Sequence, residues 1–164
     1  MLRTLKHLKM IQRVQSLYLS AIFLLSMLFL CTPVFAFNDG SGRVIKLMWT
    51  GILKDQGAEL TGQIENMWPL VAILFLISLL SLISVFLFRN RKLQSMMALS
   101  VIVLAVTLIA VLSYYAYLVT DNFRITIIPG LKMAIPVLIL VFSILACRGI
   151  VKDDRLVKSY DRLR

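Results

Sequence analysis

Charge is what this chain has little of. Asp, Glu, Lys and Arg together make up 16% of its 164 residues, against roughly a quarter in an ordinary soluble domain. Histidine is rarer still: His7 stands alone, so neither a multi-histidine metal site nor a histidine-based triad can be assembled. No glycine-rich run has the spacing that cradles a phosphate. The two cysteines, Cys31 and Cys147, fall near opposite ends of two different apolar segments. About 20 Å of helical rise separates those depths, which excludes an internal disulfide and leaves two small buried hydrophobes. No internal repeat breaks the chain into units, and one domain is expected over 1–164.

What the chain has instead is apolar residues, 60% of the total. A water-soluble core cannot absorb that share without exposing large apolar patches. They come in blocks: no charge occurs from Val14 to Asn38, from Asn66 to Phe88, or from Leu93 to Thr120, and Ile125 to Cys147 holds only Lys132. Each block is long enough for the ~20 residues that take a helix across the hydrocarbon layer. Lipid offers the backbone no hydrogen-bond partner, and none of the blocks alternates as a barrel strand would, so each reads as a helix. The expected fold is an all-α membrane protein, a four-helix transmembrane bundle running up-down-up-down. Its helices are expected at about 16–37, 68–88, 96–119 and 126–150, with an outer loop of roughly thirty residues (38–67) and a cytoplasmic tail (151–164).

The net charge of +10 would suit a nucleic-acid binder, but its distribution follows topology instead. The N-terminal arm, the loop after the second helix and the tail carry thirteen of the 18 Lys and Arg. The other side carries Arg43, Lys46, Lys54, Arg124 and Lys132. By the positive-inside rule both termini face the cytoplasm of a bacterial inner membrane, where the basic segments meet an anionic leaflet and no nucleic acid is implied. Trp68 before Pro69, and Tyr114, Tyr115 and Tyr117, fall at the outer interface; Tyr18 falls at the inner one. A cleaved signal peptide is the competing reading of the first helix, since Val34-Phe35-Ala36 is an acceptable cleavage pattern. Its apolar stretch is longer than a signal core, which favours retention.

The outer loop opens on the turn-rich Asn38-Asp39-Gly40-Ser41-Gly42. Val44 to Leu53 follows as a strand or an interfacial helix carrying Trp49, in a segment that could cap the outer face of the bundle. At the other end, Asp153 to Arg164 reads as an amphipathic helix with Leu156, Tyr160 and Leu163 along one face. Such a basic helix suits the anionic inner leaflet, or else a cytoplasmic partner.

Ionisable groups within the bilayer are the default pointers to function. Lys132 is the single one inside the four apolar blocks, and Pro136, four residues on, would leave the Lys132 carbonyl free. An ammonium and a free carbonyl could make an ion or substrate site; the plainer reading is a lysine reaching the headgroups beside a tolerated proline. Ser78, Ser81 and Ser84 form a polar edge on the second helix. Ser100, Thr107 and Tyr114 repeat every seven residues on the third, beside Ala98 and Ala105. Hydroxyls and small residues so spaced serve close helix packing. Among the carboxylates, Asp55 and Glu59 share a helix face without a pocket around them, and no catalytic set or cofactor site is visible.

Met10-Ile-Gln-Arg-Val-Gln-Ser-Leu-Tyr-Leu, opening directly into the first helix, resembles the start of a family of small membrane proteins from Bacteroidota. The run from Arg148 to Arg164 resembles that family's closing signature, and residues 1–9 precede its usual start. The family is catalogued as a domain of unknown function. The resemblance implies a four-helix inner-membrane protein and brings no activity, cofactor or substrate with it. The function expected from the residues is that of a non-enzymatic accessory or assembly subunit of an inner-membrane complex, with a membrane-protein partner or further copies of itself. A small channel or transporter is the alternative, and a membrane enzyme stands third.

Overall fold

In the computed structural model the chain is described over residues 2–38, 44–47, 49, 52–54, 59–63, 67–87, 90–123, 126–127 and 131–161, with the backbone alone in 2–14, 35, 37–38, 44–47, 52–54, 59–63, 91, 119, 122–123, 126–127, 131 and 154–161. Four long helices make up most of it: α1 (Leu2–Leu30), α2 (Trp68–Phe86), α3 (Arg91–Phe123) and α4 (Ala134–Asp161). Each helix packs against two others, α1 on α2 and α4, and α3 on α2 and α4, which closes a ring around one core. Three helices are long and apolar enough to cross a membrane, over Trp68–Phe86, Lys92–Leu118 and Ala134–Asp153. The apolar part of α1, Gln15–Leu30, is shorter. At the helical rise it covers about 24 Å, somewhat less than the ~30 Å hydrocarbon layer.

The helix limits differ from those read off the apolar blocks, and each difference has a local cause. The first helix was expected to run through residue 37; it stops at Leu30. Pro33 disfavours a helical conformation at Thr32, and the Thr32 hydroxyl donates to the Phe29 carbonyl at 3.1 Å, taking up one of the free acceptors of the last turn. Towards the N-terminus α1 runs back to Leu2, so the basic arm is helical too. Pro69 lies in the first turn of α2, where its missing N–H leaves nothing unsatisfied. Beyond both ends of its expected span, α3 continues through charged turns, because a helix needs apolar residues only where it meets lipid. The fourth helix, expected from 126, begins at Ala134, after a 3₁₀ turn at Leu131–Met133. It then continues unbroken to Asp161, so the expected surface helix of the tail is the last part of α4.

The expectation of an all-α chain holds for the bundle and not for the segment outside it. Between α1 and α2 lie β1 (Phe35–Asn38), β2 (Val44–Leu47), β3 (Ile52–Lys54) and β4 (Glu59–Gln63), and after α3 comes β5 (Thr126–Ile127). They form one antiparallel sheet in the order β4-β3-β2-β1-β5. Val44 to Leu53, left open between strand and helix, contributes β2 and the first part of β3. In the backbone register of β1 and β2, Phe35 stands opposite Leu47 and Phe37 opposite Ile45. Trp49, between β2 and β3, ties the sheet to the helices. Its indole N–H donates to the Thr32 carbonyl at 2.9 Å, and its ring meets Phe29 edge-on at 5.6 Å.

Candidate functional site

The bundle core is apolar along most of its length. Leu19, Ile22, Leu70, Leu74, Ile77, Val101, Leu108 and Ile139 are fully buried, and Ala98, Ala105 and Ala146 let the helices approach closely. Outward lie Leu17, Leu24, Phe75, Phe86, Val103 and Val106, all strongly exposed, as residues facing lipid are. Ser26, Ser78 and Ser143 are buried and each donates to the carbonyl three residues back, at 2.8 Å. Ser81 does the same to Ser78 at 2.9 Å. These hydroxyls satisfy themselves within their own helices, and their small side chains serve packing, as the serine edge on α2 predicts.

Two polar contacts join one helix to another where α1 and α2 approach α4 and α3, at the end of the bundle that holds the start of α1 and the end of α4. There the Gln15 carboxamide of α1 donates to Asp153 Oδ2 of α4 at 2.6 Å, and both side chains are buried. Gly149, one turn before Asp153, makes room for it. A Cβ on Gly149 would stand 3.0 Å from Gln15 Cγ, tighter than ordinary contact. At the α2–α3 junction the Gln94 carboxamide of α3 donates to the Ser84 carbonyl of α2 at 3.1 Å, again buried. Ser84 Oγ is itself fully buried and has no hydrogen-bond partner among the described residues. All four helices thus place a polar side chain at this terminal end, in two clasps, α1 to α4 and α2 to α3. A carboxylate accepting from a buried carboxamide is a charge-assisted hydrogen bond, stronger than a neutral pair.

Gln15, Gln94 and Asp153 do not show in the sequence as charge inside an apolar block. Glutamine carries none, and Asp153 was assigned to the cytoplasmic tail. One signal was available: Gln15 opens the first apolar segment and Asp153 follows the last, so in a closed ring they share a level.

At the opposite end, nearer the sheet, the character changes. A half-open cleft of about 150 Å³ lies between the end of α1, the later part of α3 and the start of α4. Phe29, Leu112, Ala116 and Pro136 line it, and the exposed residues Ser113, Met133 and Val137 form its rim. Ser113 donates its hydroxyl to the Ile109 carbonyl at 2.9 Å, so even its polar wall is satisfied from within α3. Ligand pockets run to ~300–1,000 Å³, so the cleft is too small for a nucleotide or a large cofactor.

Lys132 and Pro136, expected as an intramembrane pair, fall at the start of α4, Lys132 just ahead of it and Pro136 in its first turn. Lys132 is exposed in the 3₁₀ turn, ahead of the first residue of the helix. Pro136 is buried in the first turn of α4, where helix geometry leaves backbone N–H groups unpaired in any case. The Lys132 carbonyl therefore precedes the helix and is not set free in the middle of one. Ser100, Thr107 and Tyr114, expected at a helix–helix seam, are exposed on the outer surface of α3, whereas Ala98 and Ala105 are buried. Ser100 and Thr107 donate to the carbonyls four residues back, at 3.1 and 3.0 Å. Leu156 and Tyr160 belong to α4, but their side chains, like the whole of Leu163, lie outside the described residues. Among the described residues no His, Cys, Asp or Glu come together as a metal-binding group.

Neither a curated protein nor a solved structure matches the chain. A family model does, over residues 11–163, which takes in α2, α3, α4, the sheet and all of α1 beyond residue 10. The chain belongs to the family described as a domain of unknown function (DUF4293).

Proposed function

We propose that this protein is a non-enzymatic accessory or assembly subunit of a bacterial inner-membrane complex. All four helices cross the bilayer, up-down-up-down, with both termini cytoplasmic. The sheet then lies at the outer face and the polar clasps at the inner one. The basic residues of the arm, of the α2–α3 link and of the tail all meet the anionic inner leaflet in this orientation. The shorter apolar part of α1 is accommodated because α1 is a full member of the ring, held by α2 and α4.

One observation carries this reading: the interior is filled by side chains, and its buried serines are bonded to their own helices or, at Ser84, enclosed. That is the interior of a packed scaffold and gives no support to a hydrated path, which a small channel or transporter would require. The free surface of α3, with Ser100, Thr107 and Tyr114 facing outward, is then available for a neighbouring membrane protein. Hydroxyls of this kind add short-range packing and hydrogen bonds between transmembrane helices.

The test is affinity purification from native membranes in mild detergent, followed by mass spectrometry of what stays bound. A stoichiometric membrane-protein partner is the expected result, and Thr107→Leu should weaken its retention. Recovery as a lone monomer would sink the reading. A clean homo-oligomer that conducts ions in liposomes would put the channel in its place.

A further inference from the structure

We propose that the cleft between α3 and α4, with Lys132 next in the chain to its rim residue Met133, is a binding site for one acyl chain of an anionic phospholipid. It requires only that the bundle spans a bilayer, and is independent of the accessory role. Three features of the site meet here. The cleft is lined by apolar groups (Phe29, Leu112, Ala116 and Pro136) and opens sideways past Ser113, Met133 and Val137 onto the surface that faces lipid. Its volume, about 150 Å³, suits a length of one hydrocarbon chain and little else. Lys132 stands immediately before Met133 and one helical turn before Pro136, both lining residues, and it is exposed.

The two parts of the site do different work. Filling the cleft with an acyl chain gains no net hydrophobic energy, since that chain leaves one hydrocarbon environment for another. The cleft holds a chain in place without choosing among lipids. Selection comes from Lys132, whose flexible stem carries an ammonium to headgroup depth, where a lipid with a net negative headgroup is favoured over a zwitterionic one. A single lysine beside an anionic surface contributes ~1 kcal/mol, or about fivefold in occupancy.

Trp49 provides a built-in reporter, because its ring rests on Phe29, which lines the cleft. Trp68→Phe leaves Trp49 as the single tryptophan of the chain. In that background the full-length protein is reconstituted into bilayers containing phosphatidylglycerol or phosphatidylcholine brominated on the upper part of the acyl chain. Brominated phosphatidylglycerol is expected to occupy the site about fivefold more readily, read as stronger quenching at equal mole fraction. Lys132→Gln should bring the two lipids level. Ala116→Phe, which fills the cleft, should reduce quenching by both. Ser113→Phe blocks the cleft from the exposed rim and repeats the test without touching the core. Equal quenching by the two lipids in the unaltered site overturns the proposal. So does a preference that survives Lys132→Gln, or quenching that neither blocking variant reduces.

Discussion

The two ends of the bundle are built on different principles. At the terminal end, helices are joined by polar side chains: Gln15 to Asp153 between α1 and α4, and Gln94 to the Ser84 backbone between α2 and α3. At the sheet end they are joined by apolar and aromatic contacts, with Phe29 edge-on to Trp49, and the packing there leaves a cleft. The difference teaches where specificity comes from inside a membrane. Apolar side chains pack as readily against lipid as against each other, so they fix helix register only through shape. A buried carboxylate and a carboxamide have one satisfactory arrangement, and that arrangement sets which turn of α1 faces which turn of α4. By this argument the terminal end sets the register through a polar pair, and the sheet end through shape alone.

Breaking the apolar end should have the larger effect. Phe29 is buried at the junction of α1, the cleft and Trp49. Phe29→Ala removes that filling and enlarges an existing void, at a cost of about 3 kcal/mol, read from reversible denaturant unfolding in mixed micelles. Trp49 fluorescence should shift to the red as the indole loses its neighbour. An unchanged spectrum would mean that the sheet is held to the helices by something other than this contact.

Breaking the polar end comes next. Asp153→Ala leaves the Gln15 amide buried without its acceptor, which costs ~1–3 kcal/mol. The two native cysteines report which end has opened. Cys147 lies in α4 two turns before Asp153 and is half-buried, while Cys31 is exposed just past the end of α1. Asp153→Ala should speed alkylation of Cys147 and leave that of Cys31 unchanged. The double variant Gln15→Leu, Asp153→Leu replaces both partners by apolar groups and should recover much of the stability. If it recovers stability while the helices slip in register, seen by cross-linking across α1 and α4, the clasp serves specificity more than strength.

These ends were unequally legible in the sequence. Charge-free runs locate the helices because lipid tolerates few charges, and that constraint acts on sequence directly. Helix limits were less legible, because α3 and α4 continue into polar turns that need no apolar residues. Thr32 and Pro33, which end α1, lie inside a charge-free run, where charge marks no boundary. Orientation of a face is the least legible feature: the seven-residue spacing of Ser100, Thr107 and Tyr114 is the same whether it faces a helix or lipid. Of the site residues, Pro136 lines the cleft and Lys132 precedes its rim residue Met133, and the cleft itself depends on how three helices meet, which no single segment encodes.

A smaller effect tests the close approach at Gly149. Gly149→Ala improves helix propensity by about 1 kcal/mol but brings a methyl group to 3.0 Å from Gln15 Cγ. A glutamine stem can yield by a few tenths of an ångström, so the two effects should nearly cancel and unfolding should be almost unchanged. Gly149→Leu cannot be accommodated in that way. It should displace Gln15 and reproduce the faster Cys147 labelling of Asp153→Ala. If Gly149→Leu labels as slowly as the unaltered protein, Gln15 is not what holds α1 against α4.

The smallest effect should have the opposite sign. Ser84 Oγ is enclosed beside the α2–α3 clasp without a partner among the described residues, whereas Ser78 and Ser81 on the same edge are bonded. An enclosed hydroxyl that makes no bond carries a desolvation cost and returns nothing. Ser84→Ala removes that cost, keeps the backbone carbonyl that Gln94 uses, and suits a helix better. It should stabilise the bundle by up to ~1 kcal/mol, in contrast to Ser78→Ala and Ser81→Ala, which delete satisfied bonds. A loss of stability in Ser84→Ala would mean that this hydroxyl has a partner in the membrane. The terminal end would then be an unfinished interface, and the clasp a part of what binds there.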